Sequence, residues 1–227
     1  MKLENFLHPD WSAPKNVQAL ITVKDSAVLE NRRQIITPSP AISIKQQHTA
    51  IIARLPVENT PVADAVITTN PQVICCVTTA DCLPILFCHK QALEVGAIHA
   101  GWRGLAAGVI HESLKHLTYQ IQDYLFWLGP CISEHAFEVE QDVLDHFASF
   151  KWPSAVLKKA FVPKAHPPTK FLGNLRLLAK DVLTTAGVLE SQISASNLCT
   201  YRDQELFHSY RRDKARERMR SLIWIGD

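Results

Sequence analysis

Along this chain the apolar positions cluster in short β-branched runs, and only a few stretches show the wider spacing of an amphipathic helix. The runs Ala41–Ile44, Thr49–Arg54, Asp64–Thr68, Val73–Thr78, Pro84–Phe87, Leu93–His99, Tyr124–Leu128 and Ser221–Ile225 read as strands. Helical spacing covers Ser26–Arg33, Leu105–Tyr119, Gln141–Phe150 and Leu175–Ala186, and Gly187 supplies a C-terminal cap for the last of these. The most irregular stretch, Lys151–Pro168, holds Pro153, Pro163, Pro167 and Pro168. It reads as a long surface connection within one domain, because strand patterns lie on both sides of it. Strands with helices between and after them predict an α+β (mixed α/β) fold: mixed sheets flanked by helices, in one domain over residues 1–227.

Composition narrows the function classes. Apolar residues make up 47% of the chain, enough for a sizeable core, and a formal charge of +2 gives no nucleic-acid footprint. The opening MKLENFLHPDWSAP has no long apolar stretch of a secretory signal, and no run approaches the roughly 20 apolar residues of a membrane helix. The six cysteines form no C-x-x-C pair and sit mostly in apolar runs, as thiols do in a reducing compartment. The expected location is cytoplasmic, with no membrane partner.

Candidate chemistry gathers around two strand ends. In "VGAIHAGWRGLAAGVI" a buried strand breaks into a Gly-rich turn and then a helix, with His99, Trp102 and Arg103 at the break. In "VTTADCLPILF" Asp81 and Cys82 follow a β-branched run. Between Cys82 and His99 there is room for one hairpin, out along Leu83–Phe87 and back along Leu93–His99, which returns His99 to the neighbourhood of Cys82. His48 lies between two strand-like runs in "IKQQHTAII". Two imidazoles and a thiolate suit zinc with a fourth position left for water or substrate. On spacing alone the bland reading wins: a packed thiol and two hydrogen-bonded histidines.

The blocks "TTADCLPILF", "AIHAGWRG", "LGPCISEHAFEV" and "CTYRDQELFHSYRRDKARERMRSLIWIGD" resemble the signatures of the YfiH family. That family is also described as laccase-domain, polyphenol-oxidase or peptidoglycan-editing-factor proteins, and as purine nucleoside phosphorylases. The likeness runs from about Ala27 to the C-terminus. It implies that His48, Cys82 and His99 are zinc ligands. It further implies a catalytic set of Cys82, His99, Arg103 and Arg211, with purine nucleoside and phosphate as small-molecule partners. The implied reactions are phosphorolysis of adenosine, inosine, guanosine and methylthioadenosine, and deamination of adenosine. The glycines at 101 and 104 are expected to let the backbone turn sharply under His99, Trp102 to pack that turn, and Arg103 to serve as a charge partner near the site.

The chain departs from the family pattern in places. The family carries a Gly-rich, Asn-containing segment before a helix ending in N-R, whereas "ALITVKDSAVLENRR" passes almost directly from Ile21–Thr22 to that helix. The block that normally ends in T-G-R reads Ala215-Arg216-Glu217-Arg218, and Thr49 replaces the glycine usual after Q-x-H.

Other residues carry weaker signals. Arg211 and Arg212 read either as a solvated charged loop or as an anion site of guanidinium forks. Cys131, on the "LGPCI" turn, has no clear base near it in sequence and reads as packing. Asp81 either orients a ligand or caps a turn, and His89 is expected at an exposed hairpin tip. Copper remains an alternative metal, because copper binds such ligands more tightly than zinc. A copper-dependent polyphenol oxidase is the weaker reading: none of the ten histidines is two residues from another, and the methionines are Met1 and Met219 alone. Two further alternatives are a peptidoglycan-precursor editing hydrolase with Cys82 as nucleophile and His99 as base, and a non-catalytic zinc-binding module.

Overall fold

The structure, a computed structural model, describes residues 6–24, 41–42, 44–167, 169–214 and 216–226. Its strands are β1 (Phe6–Leu7), β2 (Val17–Thr22), β3 (Ile52–Arg54), β4 (Ala65–Thr68), β5 (Cys75–Thr79), β6 (Leu83–His89) and β7 (Val95–Ala100), followed by β8 (Tyr124–Leu128), β9 (Glu138–Glu140), β10 (Phe161–Pro163), β11 (Lys170–Gly173), β12 (Ile193–Ala195) and β13 (Met219–Ile225). Its α-helices are α1 (Trp102–Ala106), α2 (Val109–Lys115), α3 (Gln141–Ser149), α4 (Ser154–Ala160), α5 (Leu175–Thr185) and α6 (Tyr210–Asp213). A six-stranded sheet runs β12-β8-β6-β7-β4-β3, a four-stranded sheet β1-β2-β13-β5, and a small sheet β10-β11-β9. The pairs β3/β4 and β12/β8 are parallel and the rest antiparallel, so the six-stranded sheet is mixed, the other two are antiparallel, and the fold is α+β.

The period-2 geometry of a strand explains why the central runs are apolar throughout. In β6, Leu83, Ile85 and Phe87 face one apolar cluster while Leu86 and Cys88 face another. In β8, Tyr124, Phe126 and Leu128 join the first cluster, and Leu125 and Trp127 the second. The first cluster is completed by Leu105, Val109, Leu178 and Leu183 of α1, α2 and α5. The second is completed by Val77, Ile21 and Ile223 of the four-stranded sheet. The six-stranded sheet is therefore sandwiched, and both faces of its strands demand apolar side chains.

Several expectations need correction. The helix read over Leu105–Tyr119 is two short helices, because Gly108 takes φ +89°, a left-handed conformation that breaks the ladder. The connection Lys151–Pro168 contains α4 and β10 and is not structureless. No strand forms at Ala41, Ile42 or Ile44; the pairing there is an isolated bridge from Lys45 to Val62. The candidate helix Ser26–Arg33 lies outside the described residues. His89 is buried, not exposed, because the hairpin tip folds back: Lys90 N–H donates to Asp123 O (2.7 Å) and the His89 ring packs on Tyr119 and Tyr124. The α5 terminus does close as expected, with Gly187 N–H on Thr184 O and Val188 N–H on Leu183 O.

One buried polar knot ties α2 and its following loop to the sheet. The Glu94 carboxylate, with no solvent exposure, accepts from Arg54 Nη1 (2.8 Å), Thr118 Oγ1 (2.6 Å), Thr118 N–H (3.0 Å) and the Tyr124 hydroxyl. Burial alone would raise its pKa, but the bonds from Thr118, Tyr124 and Arg54 outweigh burial and hold it below the ordinary glutamate range. A folded-state pKa that is depressed adds stability above the unfolded value, near 4.3, which is lost as pH falls through the folded value. Glu94→Ala is expected to cost about 3 kcal/mol at neutral pH, because it strands the buried Tyr124 hydroxyl and unties Thr118 and Arg54. It should also flatten the acid limb of stability, which thermal melting of both proteins from neutral to acidic pH checks.

Candidate metal centre

Three side chains far apart in sequence meet where β6 and β7 pair. Register places Pro84 opposite His99 and Leu83 opposite Ala100, so Cys82, just before β6, stands beside Gly101, just after β7. The hairpin inferred from sequence thus brings His99 back to Cys82. A Cβ on Gly101 would lie 2.9 Å from Cys82 Sγ and 2.7 Å from His48 Cδ2. The glycine is needed for space and not for its backbone angle, since Gly101 has φ −67° and Gly104 sits inside α1. That corrects the expectation of a sharp glycine turn.

His48 arrives on the loop before β3. Gln46 anchors that loop to β5: its Oε1 accepts from Thr78 N–H (2.7 Å) and its Nε2 donates to Thr78 O (2.8 Å). His48 itself takes φ +60°, and Asp81, immediately before Cys82, takes φ +88°. Left-handed backbone at a non-glycine residue costs on the order of 1–3 kcal/mol and persists only where neighbours enforce it.

The neighbour that enforces the first is Asp64, which precedes β4 and is fully buried. Because Ala65 pairs with Ile98, Asp64 comes to lie beside His99, whose N–H donates to its carbonyl (2.7 Å). Its carboxylate accepts from the N–H groups of Gln47 (3.2 Å), His48 (3.0 Å) and Thr49 (2.6 Å), and from Thr49 Oγ1 (2.7 Å). It also accepts from His99 Nδ1 (2.8 Å). Three successive N–H groups around one carboxylate form an anion nest. Holding Nδ1–H on Asp64 leaves His99 Nε2 to face the cluster.

The ligating atoms of His48, Cys82 and His99 lie within 4.8 Å of one another, and His48 Nε2 is 3.7 Å from Cys82 Sγ. Tetrahedral zinc with bonds of about 2.3 Å to sulfur and about 2.05 Å to nitrogen requires a sulfur–nitrogen edge of about 3.6 Å. The donor set and this edge fit the metal, and a carboxylate behind an imidazole is the usual support for such a ligand. Electrostatics favour the thiolate and pair it with a readily protonated imidazole. Burial opposes ionisation of Cys82, yet hydrogen bonds from His48 and His99 together outweigh it and bring the thiol to about 6. Burial likewise opposes protonation of His99, and Asp64 and Cys82 reverse this, raising the ring to about 9.

The cluster lines a cavity of about 670 Å³ that also receives Trp102, Arg103, Phe137, Tyr210 and Arg211. Arg103 stacks on Trp102, 4.2 Å from the ring centroid. Arg211 is placed by Asp81, whose carboxylate accepts from Arg211 N–H (2.6 Å), Ser209 Oγ (3.0 Å) and Thr200 Oγ1 (2.7 Å); the guanidinium Nη1 donates to Glu138 O (2.6 Å). Asp81 thus organises the C-terminal segment. Arg212 instead reaches the carbonyls of Thr200, Tyr201 and Phe207, a structural post. Cys131 is buried and burial pushes its thiol up to about 12, which suits packing. Asp64, Gln46, Tyr210 and Lys214 were not singled out from sequence. Asp64 left one usable trace, a lone acid inside the apolar run "VADAVITT".

A mixed-sheet α+β domain with a His–Cys–His cluster at the head of a hairpin is the class defined here. Residues 14–226 match the family described as multi-copper polyphenol oxidoreductase laccase, and the chain belongs to that family. It is 36% identical to a purine nucleoside phosphorylase of Haemophilus influenzae, over 96% of this chain and 98% of the relative. It is 35% identical to the purine nucleoside phosphorylase YfiH of Escherichia coli, over 98% and 100%. A crystal structure of a Neisseria meningitidis protein superposes with a TM-score of 0.87 at 36% identity, covering 99% of this chain and 100% of that one.

Asp64→Asn keeps the size of the side chain but removes the charge from the nest. It is expected to lower zinc affinity by about 10- to 100-fold, read by competition with a chromophoric chelator. Unchanged affinity would show that the nest shapes the loop without supporting the ligands.

Proposed function

We propose that residues 1–227 form one catalytic domain, a zinc-dependent purine nucleoside phosphorylase that also deaminates adenosine and works in the cytoplasm. The observation that carries this reading is the convergence of His48, Cys82 and His99 on the floor of a cavity lined by cations, in a chain whose relatives bear that name. The substrates are adenosine, inosine, guanosine and methylthioadenosine. Four cationic side chains, Arg103, Arg211, Lys214 and Arg218, line the cavity, and its one lining carboxylate, Asp81, is already engaged by the C-terminal segment.

In phosphorolysis the bond between C1′ of the ribose and the purine nitrogen breaks, and a phosphate oxygen forms the new bond to C1′. The purine leaves with the bonding pair and takes a proton. Positive charge builds at C1′ in the transition state, as in glycoside cleavage. Arg103 and Arg211 hold the phosphate and keep it aligned for attack. The purine occupies the same cavity, beside the ring edges of Trp102 and Phe137, whose faces carry Arg103 and Arg211. His48, Cys82 and His99 would hold the zinc, which would supply Lewis acidity at this end of the cavity. Asp64 keeps His99 in the tautomer that turns Nε2 toward the cluster.

A second reading has its own support. Asp64, His99 and Cys82 stand in the order carboxylate, imidazole, thiol, which is the order of a cysteine hydrolase. A peptidoglycan-precursor editing enzyme would use Cys82 as nucleophile and need no metal. A copper-dependent oxidase, in line with the family's description, would use the same three donors for another ion.

Cys82→Ser separates these readings. The variant is expected to lose zinc and nucleoside turnover while melting within a few degrees of the parent, because a core this size does not depend on a metal to fold. Metal content, melting and adenosine phosphorolysis are measured together. Full activity in the zinc-free variant would overturn the role of the metal, and turnover of muropeptide precursors by metal-free parent would favour the hydrolase.

Arg103→Ala and Arg211→Ala are each expected to raise the phosphorolysis barrier by about 2–4 kcal/mol, the loss of a charge-assisted bond to a developing anion. Lysine should restore little, since a point charge lacks the bidentate fork. Deamination of adenosine should fall less, because it uses no phosphate. Equal losses in both reactions would mean that these arginines shape the pocket and do not bind the anion.

A further inference from the structure

A second cavity of about 440 Å³ shares no lining residue with the one around His48, Cys82 and His99. It lies outside the carboxyl ends of the parallel pair β8 and β12, whose last residues, Leu128 and Ala195, line it. The helix α5, which precedes β12, begins in its wall. The crevice beyond the carboxyl ends of parallel strands is where open α/β sheets bind ligands, and this volume is within the roughly 300–1,000 Å³ of small-molecule sites.

The wall is charged in a way that the fold alone does not explain. Arg176, Lys180 and Arg202 line it from two separate segments. Arg176 is the second residue of α5, at the positive end of the helix, and the first turn carries no acid. Arg176 and Lys180 stand one turn apart on the same helix face, where like charges repel. The one carboxylate in the wall, Glu134, lies 3.7 Å from His135. Lys180 pairs with the exposed Glu190 (3.3 Å) and Arg202 with the half-buried Asp203 (3.1 Å). Arg176 donates Nη2 to Leu198 O, and its Nε is buried with no hydrogen-bond partner. Three basic side chains from two segments converge on one cavity whose wall holds a single carboxylate, a lining that suits an anion.

We propose that this cavity is a binding site for a small organic phosphate. The phosphoryl group sits against Arg176, Lys180 and Arg202, where guanidinium forks match its oxygens. The apolar remainder lies on Leu128, Leu177 and Ile193, which complete the wall. The site is separate from the phosphate position proposed for the nucleoside reaction and does not depend on it.

Titration calorimetry with adenosine 5′-monophosphate and with inorganic phosphate tests the assignment. It is run on the parent, on Arg176→Gln, on Arg202→Gln, and on Arg211→Ala as the control for the other cavity. The monophosphate is expected to bind more tightly than phosphate, to weaken ~10-fold or more in each of the two cavity variants, and to keep a site in Arg211→Ala. Arg202 is 65% exposed, so its replacement leaves the fold intact and carries the test if Arg176→Gln melts early. Equal affinity for the two probes would overturn the organic ligand. Monophosphate binding that ignores both cavity variants, or that disappears in Arg211→Ala, would overturn the site, as would no binding at millimolar concentration.

Discussion

A carboxylate with no access to water has to be surrounded by donors, and Asp64 meets that requirement with five of them. An unpaired ion in that position would cost several kcal/mol. Three of the donors are successive backbone N–H groups on the loop carrying His48, and one is the ring of His99. Satisfying Asp64 therefore sets the shape of the loop, including the left-handed His48, and the orientation of the second imidazole at once. Asp64 in turn is placed by the pairing of β4 with β7. The two histidines are thus brought together by the same carboxylate, and the thiol of Cys82 is drawn toward its ionised form by the imidazoles beside it.

Asp81 repeats this logic on the other side of Cys82. It bonds Thr200, Ser209 and Arg211, residues more than a hundred positions later, and so draws the C-terminal segment over the cavity. The left-handed backbone at Asp81 is the strain that this cross-chain knot holds in place. One carboxylate thus assembles the three side chains that could hold an ion, and the other delivers the arginine. Both are buried and both lie at the ends of sheet elements, where the backbone is held by its ladders, so ligands from distant segments converge with little freedom to drift.

The central strands were legible because burial on both faces leaves a continuous apolar run, and the hairpin was legible because its loop has room for nothing longer. β2 was missed although "VQALIT" is plainly apolar: it is specified by β1 and β13, and the latter pairing spans nearly the whole chain. α4 and β10 were hidden by the prolines of Lys151–Pro168, which read locally as a loop while Pro153 only precedes the helix and Pro163 only ends the strand. His89 was misplaced because a hairpin tip is exposed by default, and only the folding back of the tip on Tyr119 and Tyr124 buries it. The three donors were visible as residues, but spacing alone favoured packing. What brings them together is Asp64, whose register against β7 no local pattern encodes.

The donor set also bears on the family's description as a laccase. Imidazole and thiolate do not by themselves reject copper, which such ligands bind more tightly than zinc. Oxidase chemistry needs more than affinity, because reducing dioxygen to water takes four electrons and a mononuclear ion stores one. Among the described residues, His48, Cys82 and His99 form the one His/Cys/Asp/Glu group placed to hold an ion. The methionines that would supply a weak axial ligand are Met1 and Met219, and Met219 is buried in the core at the start of β13. The cavity beside the cluster instead receives Arg103, Arg211, Lys214 and Arg218, which stabilise a bound anion and raise the cost of a developing cation only where they are not already neutralised by one. An enzyme that must bring a phosphate beside a ribose carbon gaining positive charge has a use for both halves of that arrangement: the cations to hold the phosphate, and the phosphate to face the carbon.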